Sequence, residues 1–273
     1  MKGRAKALWE RLKLVPRDNL SSDANAMTFK LLLAFFPFLL FLMTVAGFLE
    51  LDFEAFVYDL DEILPPEILA LVGAFGQQVA YVRMAGLLYV SLAVSIFSST
   101  SAFRTLVVGI NRAHCVGDSR HPVTVWLVSF MLVSIFAVSI FLTMAGLVFR
   151  SALESFLYEM GLVYPPFLWV FNLLAVALTV AFVTATVVLI NYVSLCKKIP
   201  LARVLPGSAF TAAVWFAASF GFGFFVDNIS QMALIYGSVA AVMVLMVWLN
   251  VICHVLLLGG ALNAAIHGSK GEK

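Results

Sequence analysis

Long apolar stretches recur along the whole chain, and they limit the fold more than any other feature of this sequence. A membrane-spanning helix needs about 20 predominantly apolar residues. We place six such spans at residues 28–49, 84–108, 123–149, 166–191, 207–226 and 232–258. The composition agrees, because 63% of the 273 residues are hydrophobic and only 12% are charged, whereas a soluble domain has roughly 45–50% apolar and about 25% charged residues. The sequence therefore predicts an all-α integral membrane protein.

The basic residues predict how these helices are oriented. With both termini in the cytoplasm, the inner segments hold 15 of the 17 Lys and Arg residues, and the outer segments hold only Arg83 and Arg150. Cytoplasmic loops of membrane proteins carry such an excess of Lys and Arg. We therefore expect a multi-pass membrane protein with both termini in the cytoplasm. Its six-helix domain spans residues 28–265, between a basic amphipathic cytoplasmic segment at 1–27 and a short cytoplasmic tail at 266–273.

Short amphipathic elements are expected between and before the spans. Residues 2–14 read as a helix on an anionic membrane surface, and residues 19–23 offer N-caps for the first span. The acidic outer loop at 50–83 is divided into two short helices by Leu-Pro-Pro-Glu at 64–67. Residues 150–164 are predicted as a further outer amphipathic piece, and residues 227–231 as a tight outer turn.

The second span is the most polar of the six. A candidate substrate face consists of Ser95, Ser98, Ser99, Ser101, Arg104, Asn111 and Arg112. A charged group near the hydrocarbon costs about 2.5–3.5 kcal/mol on insertion scales, so it normally faces protein, water or an interface. Two interpretations stay open at this point. The hydroxyls pack helices while Arg104 extends to the membrane surface, or the face lines a path for a polar substrate or ion.

Two further patterns lie in the last two spans. Asn250 and His254 are one turn apart, which indicates either a buried hydrogen-bonded pair or a proton relay. Small residues that predict close helix packing recur every four positions in the fifth span, and a further glycine lies near the start of the sixth: Ala209, Ala213, Ala217, Gly221 and Gly237.

We predict no metal site and no cofactor. The His-Cys-x5-His pattern at 114–121 lacks a second pair of ligands at zinc-like spacing. The three cysteines are far apart and indicate no disulfide framework: Cys115, Cys196 and Cys253. The basic residues before the first span are explained by topology, so no nucleic-acid partner is expected.

Several short motifs, in order along most of the chain, resemble the YihY/BrkB family of bacterial membrane proteins. They include residues 234–241 (Leu-Ile-Tyr-Gly-Ser-Val-Ala-Ala), 247–249 (Val-Trp-Leu), 257–259 (Leu-Leu-Gly) and Leu262-Asn263. The small-residue patch ending in Asn-Arg at 98–112 belongs to the same set, as do Phe36-Pro37, residues 64–67, Ile199-Pro200 and residues 205–207.

The resemblance implies a six-helix inner-membrane protein without a settled activity. Family members have been labelled ribonuclease BN, serum-resistance factors and envelope or lipid-related transporters. This chain departs from the family pattern at one point. Many members have an acidic residue in a Leu-Gly-Ala-Glu-like motif, whereas residues 258–261 here are Leu-Gly-Gly-Ala.

We expect a transporter or lipid-handling permease for a polar or anionic substrate, with membrane lipids as partners and with small-residue rows that would suit a homo-oligomer. The alternative is a non-catalytic envelope-integrity or resistance factor that acts through protein partners. A ribonuclease is the least favoured function, because the predicted inner loops offer only scattered carboxylates and histidines. We therefore expect no enzymatic activity.

Overall fold

The computed structural model describes residues 17–48, 85–114, 120–159, 165–197, 199–236 and 238–267. These residues form six α-helices and a short 3-10 helix at Leu201–Arg203: α1 (Arg17–Phe48), α2 (Ala85–Ala113), α3 (Pro122–Glu159), α4 (Pro165–Ser194), α5 (Leu205–Tyr236) and α6 (Ser238–His267). The predicted helix at 2–14, the acidic outer loop at 50–83, Cys115 and Gly237 lie outside the described residues.

Each of the six helices is long and apolar enough to cross a membrane. The apolar stretches are Asn19–Leu42, Gly86–Ala113, Pro122–Thr143, Leu173–Ser194, Leu205–Phe224 and Val239–Ile266. The prediction of an all-α membrane protein with six spanning helices is confirmed.

The helices alternate in direction, so that the same end of the bundle holds the first turns of α1, α3 and α5 and the last turns of α2, α4 and α6. Arg112 near the end of α2 pairs with Asp23 near the start of α1. Arg120, just before α3, donates to the carbonyl of Ser194 at the end of α4. Lys197 and Arg203 also lie at this end, which we call the basic end. It corresponds to the side that the charge pattern predicts to be cytoplasmic.

The core is centred on α2 and α6, and α1 packs mainly against these two helices. Its largest fully buried side chains include Met27 from α1, Leu106 and Ile110 from α2, and Leu257 from α6. In contrast, large apolar side chains on the outside of the bundle are highly exposed, such as Phe141 (71%), Leu178 (70%) and Phe220 (80%). An outer surface of this kind is suited to lipid, where apolar side chains need no burial in protein.

Three predicted boundaries are wrong. Residues 19–23 are not caps, because α1 already begins at Arg17 and the polar side chains in its first turns bond to other helices. The turn predicted at 227–231 is helical, since α5 continues to Tyr236 and this stretch contains no Pro or Gly to end it. Most of the separate outer piece predicted at 150–164 is instead the end of α3, which continues to Glu159 through good helix formers such as Ala, Leu and Glu.

Candidate functional site

Polar and charged side chains lie along the contact between α1 and α2, and we call this set the α1–α2 seam: Asp23, Lys30, Ser101, Arg104, Thr105 and Arg112. Nearest the basic end, Arg112 Nη1 donates to Asp23 Oδ2 over 2.8 Å. The side chain of Asp23 is 15% exposed and that of Arg112 is 43% exposed. One of the predicted face residues, Arg112, thus has a partner on α1, Asp23, that the sequence analysis did not include in the site.

Lys30 makes the deepest charged contact of this seam. Its Nζ donates to Thr105 Oγ1 over 2.7 Å and lies 3.4 Å from the carbonyl oxygen of Ser101. Lys30 is seven residues beyond Asp23, and Thr105 is seven residues before Arg112, so both contacts belong to one antiparallel register. A seven-residue step returns nearly to the same side of a helix. The two contacts therefore hold α1 and α2 together over two turns.

Arg104 lies next to Thr105 but faces outward. It is exposed, whereas Lys30 is half-buried. The two cations are close enough to repel each other, and the carboxylate of Asp23 partly offsets the charge on Lys30. Among the four charged side chains of the seam only Asp23 is negative, and it is already bonded to Arg112. Positive charge at the position of Lys30 and Arg104 is thus left without a bonded carboxylate among the described residues.

A second polar contact joins α1 to α6, and we call it the α1–α6 seam: Ser21, Asn25, Thr28, Asn250 and His254. The Asn250 side chain donates to Asn25 Oδ1 over 2.8 Å and to Thr28 Oγ1 over 3.3 Å. His254 Nδ1 lies 2.9 Å from the backbone carbonyl of Asn250, and its Nε2 lies 3.5 Å from Ser21 Oγ.

The predicted Asn250–His254 pair is therefore linked through a backbone carbonyl rather than through both side chains. A carbonyl oxygen only accepts hydrogen bonds, so Nδ1 is the donor in the contact with Asn250. Both residues are half-buried rather than fully buried, and both face α1. The proton-relay interpretation remains a prediction.

The serines of the predicted substrate face are wholly or partly buried, and neighbouring threonines on α2 bond to the helix itself. Ser95 is 5% exposed, and Ser98, Ser99 and Ser101 are half-buried. Nearby, Thr100 is fully buried and donates to the carbonyl of Ile96, and Thr105 contacts the carbonyl of Ser101 in the same way. Hydroxyls satisfied by their own backbone allow close helix packing. The structure thus buries Ser95 and partly buries the other three serines, and a role of this face in substrate binding stays a prediction.

Asn111 lies in a different contact from the rest of the predicted face. It is 1% exposed, and its amide nitrogen donates to the carbonyls of Val107 and Ser194 over 2.8 Å each. Its oxygen accepts from the backbone N–H of Cys196 over 2.9 Å. The side chain therefore joins α2 to the end of α4, two turns along α2 from Arg104.

The small-residue row predicted on α5 lies on the outside of the described bundle. Ala209, Ala213, Ala217 and Gly221 are all exposed among the described residues, and their role in helix packing stays a prediction. The close contact of α5 with α6 lies on another side, where a Cβ added to Gly207 would meet the Gly259 carbonyl and a Cβ added to Gly259 would meet Thr211 Oγ1. The four-residue spacing places these small residues on one side of α5, but spacing alone does not show whether that side faces protein.

A buried amide cluster escaped the sequence analysis. Asn191 on α4 and Asn263 on α6 are each 2% exposed, and Ser208 on α5 is fully buried. Asn191 donates to Ser208 Oγ over 3.2 Å, and Asn263 Oδ1 accepts from the Gly207 N–H over 2.6 Å. Asn191 Oδ1 and Asn263 Nδ2 have no partner in the described structure. In the sequence, each of these two asparagines lies near the end of an otherwise apolar span, and this polarity could have identified them.

Ala261, where the family resemblance implies an acidic residue, is fully enclosed. Ala261 is 1% exposed and packs with Ala113 and Ala264 near the basic end. Within the described helices no group of three His, Cys, Asp or Glu side chains could hold a metal ion. Cys196 and Cys253 are free thiols.

Six apolar helices, with charged and amide side chains turned into the helix contacts, define a multi-pass α-helical membrane protein. The chain belongs to the BrkB family, because the family model described as "Virulence factor BrkB" matches residues 12–273. A ribonuclease-like protein, YfkH, of Bacillus subtilis (strain 168) is 28% identical over 259 residues, which are 91% of this chain and 90% of that protein.

A UPF0761 membrane protein of Alkalilimnicola ehrlichii is 35% identical over 91 residues, which are 33% of this chain and 19% of that protein. No solved structure matches the chain. The family resemblance seen in the sequence motifs is thereby confirmed.

Proposed function

We propose that this BrkB-family protein is a permease of the bacterial inner membrane that moves a polar or anionic substrate, and that it has no catalytic activity of its own. The observation that carries the proposal is the contact of Lys30 with Thr105 beside Arg104. Charged side chains within membrane-spanning segments are costly, and they commonly mark substrate or ion pathways. Here two cations share one level of the bundle without a bonded carboxylate in the described chain.

The position of α1 supports the same proposal. Its first half carries polar contacts on two sides, to α2 through Asp23 and Lys30 and to α6 through Asn25 and Thr28. Contacts formed by amides, hydroxyls and single ion pairs exchange for water more readily than an apolar core does. Movement of α1 relative to α2 and α6 would open a polar surface that starts at the basic end.

The test is a flux measurement with the purified protein in proteoliposomes. Two probes are compared: fluorescently labelled phosphatidylglycerol, read by chemical quenching of the outer leaflet, and radiolabelled inorganic phosphate. We expect protein-dependent movement of at least one of these anions, and a loss of that movement in Arg104→Ala. Arg203→Ala is the matched control, because Arg203 is also an exposed cation at the basic end but lies in the 3-10 helix away from the seam. Equal flux in Arg104→Ala and the wild type would remove Arg104 from the mechanism.

One observation favours the second candidate, a non-catalytic factor that acts through protein partners. The exposed row on α5 (Ala209, Ala213, Ala217 and Gly221) has the four-residue spacing of small side chains that lets membrane helices approach closely. In a background without native cysteines, Ala213→Cys should then form an intermolecular crosslink in membranes. Met243→Cys on α6 is the control, since this position is also exposed but the side chains one turn away, Val239 and Val247, are larger. Crosslinking at Ala213 together with absent flux would favour this candidate.

The ribonuclease-like name of the Bacillus subtilis relative supplies the least favoured candidate. Metal-assisted phosphodiester cleavage relies on clustered carboxylates or histidines, and the described helices contain no such group of three side chains. Metal-dependent cleavage of RNA by the pure protein, abolished by Asp118→Ala, would overturn the ranking.

A further inference from the structure

Arg104 shares one side of α2 with side chains that are suited to lipid. Val90 and Phe97 precede it at intervals of seven residues, and they are 61% and 66% exposed. Seven-residue steps keep side chains on nearly the same side of a helix. The guanidinium therefore projects from an outward-facing apolar side rather than from a sealed helix contact.

The depth of Arg104 places its charge within reach of lipid headgroups. The apolar stretch of α2 has 28 residues, so it is about 42 Å long, compared with about 30 Å for the hydrocarbon core. If the stretch is centred, about 6 Å of helix extends beyond the hydrocarbon at each end. Arg104 lies nine residues before Ala113, so its Cα is roughly 7–8 Å inside the boundary, and a long arginine side chain spans that distance.

Lys30 brings a second cation to the same level. Its Nζ is held by Thr105 Oγ1, one residue along α2 from Arg104. An ammonium group has three donors, and among the described residues two of them are used, by Thr105 and by the weaker contact with Ser101. A guanidinium binds two phosphate oxygens at once, and an ammonium adds a compact third donor. This donor set matches the non-bridging oxygens of one phosphate diester.

Apolar side chains lie deeper in the bilayer than both cations. The register set by Asp23 with Arg112 and by Lys30 with Thr105 places Phe38 at the level of Phe97, about two turns further in. Phe38 is 45% exposed. An anion bound at the cations would thus have an apolar surface from both helices beneath it, where an acyl chain would lie.

We propose that Lys30 and Arg104 bind the phosphate of an anionic phospholipid that enters sideways from the leaflet at the basic end, with its acyl chain along Phe38 and Phe97. This inference rests on the proposed function, for which it names the substrate class. A free phosphate ion offers the same oxygens to the two cations, but it makes no use of the exposed apolar surface next to them.

The experiment is native mass spectrometry of the full-length protein released from detergent, with dioleoylphosphatidylglycerol as the probe. We expect the wild type to retain this lipid. Arg104→Leu should reduce the bound fraction about tenfold, because charged hydrogen bonds are lost. Arg104→Lys should give an intermediate value, and Arg203→Ala should bind as the wild type does. Arg104 is exposed, so its variants test lipid binding without a change in the core. Lipid binding by Lys30→Met is interpreted only if the thermal unfolding of this variant matches that of the wild type.

Competition separates the two sources of phosphate. Millimolar glycerol 3-phosphate should leave the lipid bound, and displacement at that concentration would reject the lipid as the ligand. Unchanged lipid retention in Arg104→Leu would overturn the site. The flux assay distinguishes this result from failure of the proposed function. If Arg104→Leu loses flux but retains the lipid as the wild type does, only the lipid site is rejected. If Arg104→Leu loses the lipid but the wild type shows no flux, only the permease is rejected.

Discussion

The ammonium group of Lys30 lies 2.7 Å from the hydroxyl of Thr105, the residue that follows Arg104. This contact and the Asp23–Arg112 ion pair are separated by seven residues on both helices. Together they align α1 and α2 in an antiparallel register. They also determine where positive charge is concentrated. Asp23, the carboxylate of the seam, is bonded to Arg112 nearer the basic end, so the positive charge of Lys30 and Arg104 is left deeper in the bundle.

Replacing Thr105 by Val should destabilise the bundle through loss of the Lys30 contact. A hydrogen bond between membrane helices contributes on the order of 1 kcal/mol, and valine keeps the shape of the side chain. The measurement is unfolding of the detergent-solubilised protein. Thr184→Val is the matched control, because Thr184 bonds only to the Val180 carbonyl of its own helix. Equal effects at the two positions would show that the interhelical bond contributes nothing.

The Asp23–Arg112 pair should behave as a partly solvated ion pair. Asp23→Asn or Arg112→Gln should each lower the free energy of unfolding by up to about 1 kcal/mol, and less at high salt. A double-mutant cycle with both changes measures the coupling. Additive losses, with no coupling between the two positions, would contradict the ion pair seen in the structure.

Gly259→Ala should disrupt the crossing of α5 and α6, since the new methyl group would meet Thr211 Oγ1. Overpacking of a tight contact costs typically 1–3 kcal/mol, so we expect about that loss of stability. Gly221→Ala is the control, because nothing lies within 4 Å of its added Cβ, and there alanine should be neutral or stabilising by up to about 1 kcal/mol. Thr211→Ala should partly restore the stability of Gly259→Ala, and the absence of any recovery would place the clash elsewhere.

Asn111→Leu should separate the end of α4 from α2. The change removes the acceptor of the buried Cys196 N–H and one donor to the Ser194 carbonyl, which costs about 1–3 kcal/mol. Ser134→Ala serves as the comparison, because Ser134 is exposed and bonds to the Phe130 carbonyl of its own helix. Protease sensitivity of the 195–204 segment reports the result, and protection equal to that of Ser134→Ala would contradict it.

The predicted orientation can be tested with reporter fusions. Alkaline phosphatase, which is active only outside the cytoplasm, should be inactive after residue 273 and active after Glu159 at the end of α3. The reason is the distribution of Lys and Arg, with 15 of 17 on the predicted inner side. Activity after residue 273 would reverse the orientation and place the basic end outside.

Apolar length and helical periodicity determined the fold class, because a stretch of about 20 apolar residues has few alternatives to a membrane helix. The same signal could not locate the ends of α1, α3 and α5. Polar residues beyond the apolar stretch do not stop a helix unless Pro or Gly does, and the partners of Asp23 and Asn25 come from other helices.

The candidate site was predicted only in part. The polarity of residues 95–112 identified α2, and Arg104 and Arg112 do lie in the α1–α2 seam. Lys30 was not part of the predicted site, since the pattern of one helix does not contain the register of its neighbour. Which side of a helix meets protein was likewise decided only by packing, as the exposed Ala213 and the buried Thr211 of α5 demonstrate.

The sequence by itself determined that the chain has six membrane-spanning helices, to which family it belongs and which residue types are polar within the membrane. The tertiary structure alone decided that Lys30 meets Thr105, that Asn111 joins α4 and that the small-residue row of α5 faces outward. The physical reason is that spacing along one helix specifies which side chains share a side. What lies opposite that side depends on the register and the rotation of every helix packed against it.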